Sequence, residues 1–176
     1  MKNILDIKKY TCFLLKPSIL DNSFVLKAKE SIEKFGYHIC ASKKIYLEED
    51  DVLGLYVDEL EDNLKSENGD IKVSIMKEYY MRTLLHKECM VILATHNTEN
   101  ATQYATKIKS DAFVPKDNSK EKLRYILRDI KYDKFDYIKD PVTGFYTNIP
   151  MDNVIHSPST LSEYSYIVEK WFPEFL

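Results

Sequence analysis

No stretch of the 176-residue chain is long and apolar enough to cross a bilayer, which takes about 20 consecutive apolar residues. No membrane partner is therefore expected. Met1 to Lys9 also lacks the apolar core of a signal peptide. Cysteine is scarce: Cys12, Cys40 and Cys89 are far apart, odd in number and set in apolar runs. That speaks against a disulfide framework and for reduced core thiols. No Cys/His cluster has metal-ligand spacing, so no metal held by protein ligands is expected. Asn100-Ala101-Thr102 has the form of a glycosylation sequon, idle without secretion, and a cytoplasmic location is the expectation. Basic residues are not in excess. The net charge is −3, whereas nucleic-acid binders usually carry a basic face, so no nucleic-acid partner is expected. There is no internal repeat and no low-complexity tract.

What is present is ordinary for a globular protein: 44% apolar and 30% charged residues. The length suits one compact domain, residues 1–176, with a real core. The 13 tyrosines suggest amphipathic rim positions. Tyr10 to Leu15 reads as a buried strand closed by Lys16-Pro17. Asn22 or Ser23 can cap a helix carrying Val25, Ala28, Ile32 and Phe35 and stopped by Gly36. Tyr37 to Tyr46 reads as a strand. Glu48, Glu49 and Asp50 suit the first turn of a helix bearing Val52, Leu55 and Tyr56.

Polar residues 62–70 read as a loop or surface insertion. Ile71, Ile75, Tyr79 and Arg82 mark one side of a longer helix ending near His86. Cys89 to Ala94 is a strand, Thr98 can cap a helix through Ile108, and Glu121 to Ile130 is helical in pattern. Residues 131–152, with Pro141-Val142-Thr143-Gly144, read as an extended insertion with a turn. The order of elements supports an α/β (α+β) sandwich.

Near the end of the chain, Asn153-Val154-Ile155-His156-Ser157-Pro158-Ser159-Thr160 sets a histidine just before a helix start. Thr160 with Glu163 has the form of a capping box. Helix N-termini favour phosphate, and a histidine there can attack phosphorus or move a proton. On spacing alone a surface loop histidine is equally described.

The run Asn153-x-x-His156, then Ser159-Thr160, a helix and Trp171-Phe172-Pro173-Glu174, closely resembles the active-site signature of nucleoside diphosphate kinases. Thr11-Cys12-Phe13-Leu14-Leu15-Lys16-Pro17 resembles the first strand of that family, with its closing Lys-Pro. The resemblance covers most of the chain and thins between about residues 61 and 120. It implies a four-stranded antiparallel sheet of ferredoxin-like type with helices packed on it. The implied activity is transfer of the γ-phosphate of a nucleoside triphosphate to a nucleoside diphosphate through a phosphohistidine on His156. Lys16 would contact phosphate and sugar hydroxyl, Tyr56 would lie near the nucleophile, Arg124 would hold phosphate and Asn153 the sugar. Taken alone, these are equally a snorkelling lysine, a core tyrosine and a turn asparagine, and Arg128 is one turn from Arg124. Mg2+ would ride on the nucleotide.

The departures from that pattern are several. Ala105 stands where a phosphate-binding arginine is expected, with Lys107 and Lys109 nearby. Phe113 takes a threonine position, Ile167 that of a glutamate that holds the histidine ring, and Pro158 that of a serine. Val114-Pro115-Lys116-Asp117-Asn118 replaces a glycine-rich loop used in hexamer assembly, so a monomer or homodimer is expected. Tyr79 and Tyr80 are the base-stacking candidates. The span from Arg124 to Asn153 is longer than the family's. The alternative implied by these losses is a catalytically impaired nucleotide-binding or regulatory protein on the same fold.

Overall fold

Period-two alternation in the central strands divides the apolar runs between two cores. In the computed structural model, which describes residues 6–17, 20–97, 100–109, 121–127 and 154–176, Tyr10–Leu15 forms β1. Cys12 and Leu14 enter one core, and Phe13 and Leu15 the other. Glu88–His96 (β3) does the same, with Cys89, Val91 and Leu93 on the first side and Met90, Ile92 and Ala94 on the second. Both strands are buried on two faces, which explains why they read as continuous apolar runs. Tyr37–Tyr46 (β2) and Ile155–His156 (β4) complete an antiparallel sheet in the order β2-β3-β1-β4. A register shift between Ile39 and Ala41 makes Cys40 the extra residue of a bulge in the edge strand. Cys40 is half-buried, whereas Cys12 and Cys89 are buried, and all three are free thiols.

Helices cover both faces. Asn22–Lys34 (α1) is capped by Asp21, whose carboxylate accepts from Phe24 N at 2.7 Å, rather than by Asn22 or Ser23. Its buried stripe is Phe24, Ala28, Ser31 and Ile32. Gly36, with φ +86°, turns the chain into β2. α1 shares the second core with Ala101, Ala105 and Ile108 of Ala101–Lys109 (α5) and with Leu123 and Leu127 of Leu123–Leu127 (α6).

On the other face the acidic segment starts a helix as expected, but it divides. Glu49–Leu55 (α2) ends at Tyr56, and Val57–Leu64 (α3) follows. The loop read at residues 62–70 is narrower than expected and lies at 65–68. α3 runs to Leu64 and Gly69–Leu84 (α4) begins at Gly69, leaving only four residues between them. The buried stripe of α4 is Met76, Tyr80 and Leu84, not the one marked by Ile71 and Ile75; Ile71 is among the exposed apolar residues. Leu161–Trp171 (α7) buries Tyr164, Ile167, Val168 and Trp171 against α2 and β1. A final turn, Pro173–Phe175, closes the chain. No helix among the described residues is long and apolar enough to cross a membrane. The expected cap Thr98, the loop at Phe113 to Ser119, Arg128, the insertion 131–152 and Asn153 lie outside the described residues.

Candidate active site

Strand register brings the histidine to its place. His156 pairs with Leu14 across β1 and β4, and Lys16 N donates to Val154 O at 2.9 Å. Cross-strand partners share a face, so His156 lies on the side of Cys12 and Leu14, facing α2, α3 and α7. Lys16, two residues beyond Leu14, lies on the same side. There its Nζ sits 5.5 Å from the centroid of the Tyr56 ring, a cation–π distance. The division between α2 and α3 turns Tyr56 inward, and it is 2% exposed. The Tyr56 ring lies 5.2 Å from the His156 ring on one side and stacks on Tyr80 at 3.9 Å on the other. Tyr80 OH donates to Glu59 Oε2 at 2.8 Å.

Helix α7 begins over this arrangement. Thr160 caps it, its Oγ1 accepting from Glu163 N at 3.2 Å. The capping box is only half formed, because the Glu163 carboxylate accepts from Ser159 N at 2.7 Å and Ser159 Oγ at 3.3 Å instead of from Thr160 N. Thr160 and Ser162 both donate to Asp58 of α3, tying the start of α7 to that helix. From the other side, Lys109 Nζ donates to Ser157 O at 3.0 Å, and Arg124 Nε donates to Ile155 O at 3.3 Å. The histidine-bearing turn is thus held by a cation from α5, a cation from α6 and a carboxylate from α7.

A cleft of about 490 Å³ opens here, lined among others by His156, Tyr56, Lys109, Arg124, Glu163 and Tyr79. That volume suits a small-molecule ligand. His156 is buried, and burial first, then Lys109, Lys16 and Arg124, holds its pKa well below the ordinary imidazole value. The ring is neutral at neutral pH, and its buried Nε2 has no hydrogen-bond partner among the described residues. Burial, with Arg124 next, lowers Lys16 to about 7 and Lys109 to about 8. Among the described residues Tyr56 OH and Ser157 Oγ are buried and unpartnered too. Such groups cost stability unless a ligand or water completes them.

Of the residues named from sequence, His156, Tyr56 and Arg124 line the cleft together. Lys16 lies behind Tyr56 and is not among the lining residues. Of the two lysines near Ala105, Lys107 is exposed and Lys109 reaches the site. Tyr79 and Tyr80 both line the cleft, but one face of Tyr80 is taken by Tyr56. Ile167 is packed in the core at 1% exposure and offers the histidine nothing polar. Sequence reasoning missed Glu163 as more than a cap, together with the carboxylate wall of Asp58, Glu59 and Asp62. The acidic helical spacing of Asp58, Glu59 and Asp62 was the available signal. No group of three or more His, Cys, Asp or Glu side chains among the described residues could hold a metal ion.

The four-stranded antiparallel sheet with helices packed on both faces has the fold of solved nucleoside diphosphate kinases. The chain is similar to a transition-state mimic of the nucleoside-diphosphate kinase from Borrelia burgdorferi with bound vanadate and ADP. The TM-score is 0.59 at 12% identity, covering 93% of this chain and 86% of that one. An NDP kinase from Pyrobaculum aerophilum gives a TM-score of 0.61 at 15% identity, covering 93% and 95%. The enzyme from Encephalitozoon cuniculi gives 0.57 at 13%, covering 93% and 88%. At such identities the likeness is one of fold. No family model and no curated protein sequence matches the chain.

Proposed function

We propose that the protein is a divergent nucleoside diphosphate kinase in which His156 carries the phosphoryl group. The observation behind this is a neutral, buried imidazole with cations from three elements around it, in a ligand-sized cleft of a fold shared with such kinases. Phosphoryl transfer asks chiefly for positioning and charge neutralisation. An imidazole lone pair would form the N–P bond to the γ-phosphorus as the bridging P–O bond breaks, its electron pair leaving with the diphosphate. A terminal oxygen of the second nucleotide would then attack phosphorus, and the N–P bond would break to restore the ring. The two nucleotides would use the cleft in turn. Lys16, Arg124 and Tyr56 would serve the nucleotide, with Asn153 on the sugar. Mg2+ would arrive on the phosphates, and the chain would act as a monomer or homodimer in the cytoplasm.

The test is incubation with ATP labelled on the γ-phosphate, with magnesium. Acid-labile label should appear on the protein and be lost in His156→Ala. An unlabelled wild type, or equal label on both, refutes the proposal. The alternative, a nucleotide-binding protein with impaired turnover, is favoured by His156 Nε2, which is buried without a hydrogen-bond partner among the described residues. It predicts triphosphate binding without transfer to a diphosphate.

A further inference from the structure

Among the described residues, Lys109 is a buried cation with more donors than partners. It closes α5 at 8% exposure. An ammonium has three hydrogens to donate, and the one acceptor Lys109 meets among the described residues is the Ser157 carbonyl, at 3.0 Å. Leaving the other two unplaced in a buried site is costly. Lys109 lines the cleft beside His156 and Arg124, and among the described residues the buried His156 Nε2 there has no hydrogen-bond partner either. Ammonium donors of Lys109 that no described residue takes up, pointing into a cleft, are what an anion with several oxygens would complete.

We propose that Lys109 is a phosphate-binding residue of this cleft, its ammonium anchored by the Ser157 carbonyl and its remaining donors given to the terminal phosphate of a nucleoside triphosphate. The proposal rests on the reading of the cleft as a nucleotide site. Helix geometry explains why a lysine at this position serves. Ala105 and Lys109 are four residues apart and share the buried face of α5. Side chains on a helix lean toward its N-terminus, so a long side chain at 109 covers the surface over the preceding turn. Lys107, two residues away, is on the exposed side.

A buried lysine differs from an arginine in one measurable way: its charge can be lost. The charged or titratable groups facing Lys109 are Lys16 just after β1, Glu59 from α3, Arg124 from α6, His156 from β4 and Glu163 from α7. Burial and then Arg124 lower Lys109 to about 8, while Glu163 and Glu59 act in the other direction. A bound phosphate stabilises the charged form, so binding above that pH takes up protons.

Calorimetric titration with ATP and magnesium, in buffers of different ionisation enthalpy, tests this. Wild type should bind more tightly near pH 6.5 than near pH 9 and should take up protons at the higher pH. Lys109→Gln should bind about tenfold more weakly or worse near pH 6.5 and lose a share of the uptake. Lys109→Arg should keep binding at both pH values with reduced uptake, and circular dichroism checks that both variants fold. Equal affinity and equal uptake in Lys109→Gln overturns the assignment and leaves the nucleotide cleft standing. If Lys109→Gln does not fold, an unchanged proton uptake in Lys109→Arg overturns it. A wild type that binds no triphosphate overturns both the assignment and the proposed function.

Discussion

The rings of Tyr56 and His156 lie 5.2 Å apart with 57° between their planes, and Tyr56 is sandwiched by its stack on Tyr80. The tyrosine covers one side of the imidazole and adds to the burial that, ahead of Lys109, Lys16 and Arg124, holds the ring's pKa down. Its own hydroxyl is buried with no partner among the described residues, and burial, with Glu59 next, raises its pKa. Removing an unsatisfied buried hydroxyl stabilises a fold by about 1–3 kcal/mol at most. Tyr56→Phe should therefore raise Tm in the absence of nucleotide. If the hydroxyl serves the nucleotide, the same variant should gain less Tm than wild type when ATP is added. A drop in the nucleotide-free Tm would mean that the hydroxyl already has a partner.

The buried lysines set the pH dependence of stability. Folding lowers Lys16 to about 7 and Lys109 to about 8, against an ordinary value of 10.5. Above those values the unfolded chain holds protons that the folded chain has released, so stability rises with pH until the ordinary lysine value is approached. The slope is at most about 1.4 kcal/mol per pH unit for each lysine. His156 acts in the same sense lower down: with its folded pKa depressed, stability falls as pH drops below its ordinary value. Urea midpoints should rise between about pH 7 and pH 9, and Lys109→Met should flatten the rise. A flat wild-type profile would contradict the burial of these cations.

Strands β1 and β2 are legible in the sequence to the residue, because apolar runs end at a Lys-Pro and begin after a glycine. Those are local signals. The pair α3 and α4 was harder. Asn63 to Asp70 is polar enough to look like a loop, yet half of it belongs to helix ends with solvated faces. The stripe of α4 was misplaced because Ile71 and Ile75 attract attention, whereas the buried positions are Met76, Tyr80 and Leu84. Tyrosine and methionine say less about burial than isoleucine does. At the site, His156 and Arg124 could be named from pattern. Lys109 could be singled out from Lys107 only by helix phase and contact with Ser157. The role of Glu163 on Ser159 is likewise a tertiary fact.

The short connection from α3 to α4 holds the tyrosine and carboxylate wall in place. A Cβ on Gly69 would lie 2.2 Å from Leu64 O and 2.7 Å from Leu64 C, both backbone atoms that cannot swing aside. Asn68 before it has φ +55°, a left-handed conformation asparagine tolerates. Gly69→Ala should cost about 1–3 kcal/mol of stability, read as a lower urea midpoint. Gly54→Ala should cost less, since its Cβ meets the end of the Tyr166 side chain, which has solvent beside it. An equal or smaller loss in Gly69→Ala would refute the close packing of these two helices.

The last test concerns Ile167, where the family pattern expects a glutamate on the histidine ring. Restoring it by Ile167→Glu looks like a route to faster transfer, but the structure argues otherwise. Ile167 is 1% exposed and shares its core with Val52, Leu55, Tyr56 and Val168. A carboxylate there loses apolar burial and gains no described cation at hand, a cost of about 3 kcal/mol or more. One turn earlier, Glu163 is already buried, with burial raising its pKa, and its carboxylate is engaged by Ser159. The turn carrying His156 is therefore positioned through Ser159 and Ser157 rather than through the ring. Ile167→Glu should lose Tm sharply and gain no phosphotransfer in a coupled assay with ATP and a diphosphate. Glu163→Ala should slow labelling of His156, because Ser159 N loses its acceptor, while Glu163→Gln should retain most of it, because an amide oxygen can still accept. Faster transfer in Ile167→Glu at unchanged Tm would show that the ring needs a direct carboxylate after all. Equal labelling in Glu163→Ala and wild type would show that the turn holds its shape without α7.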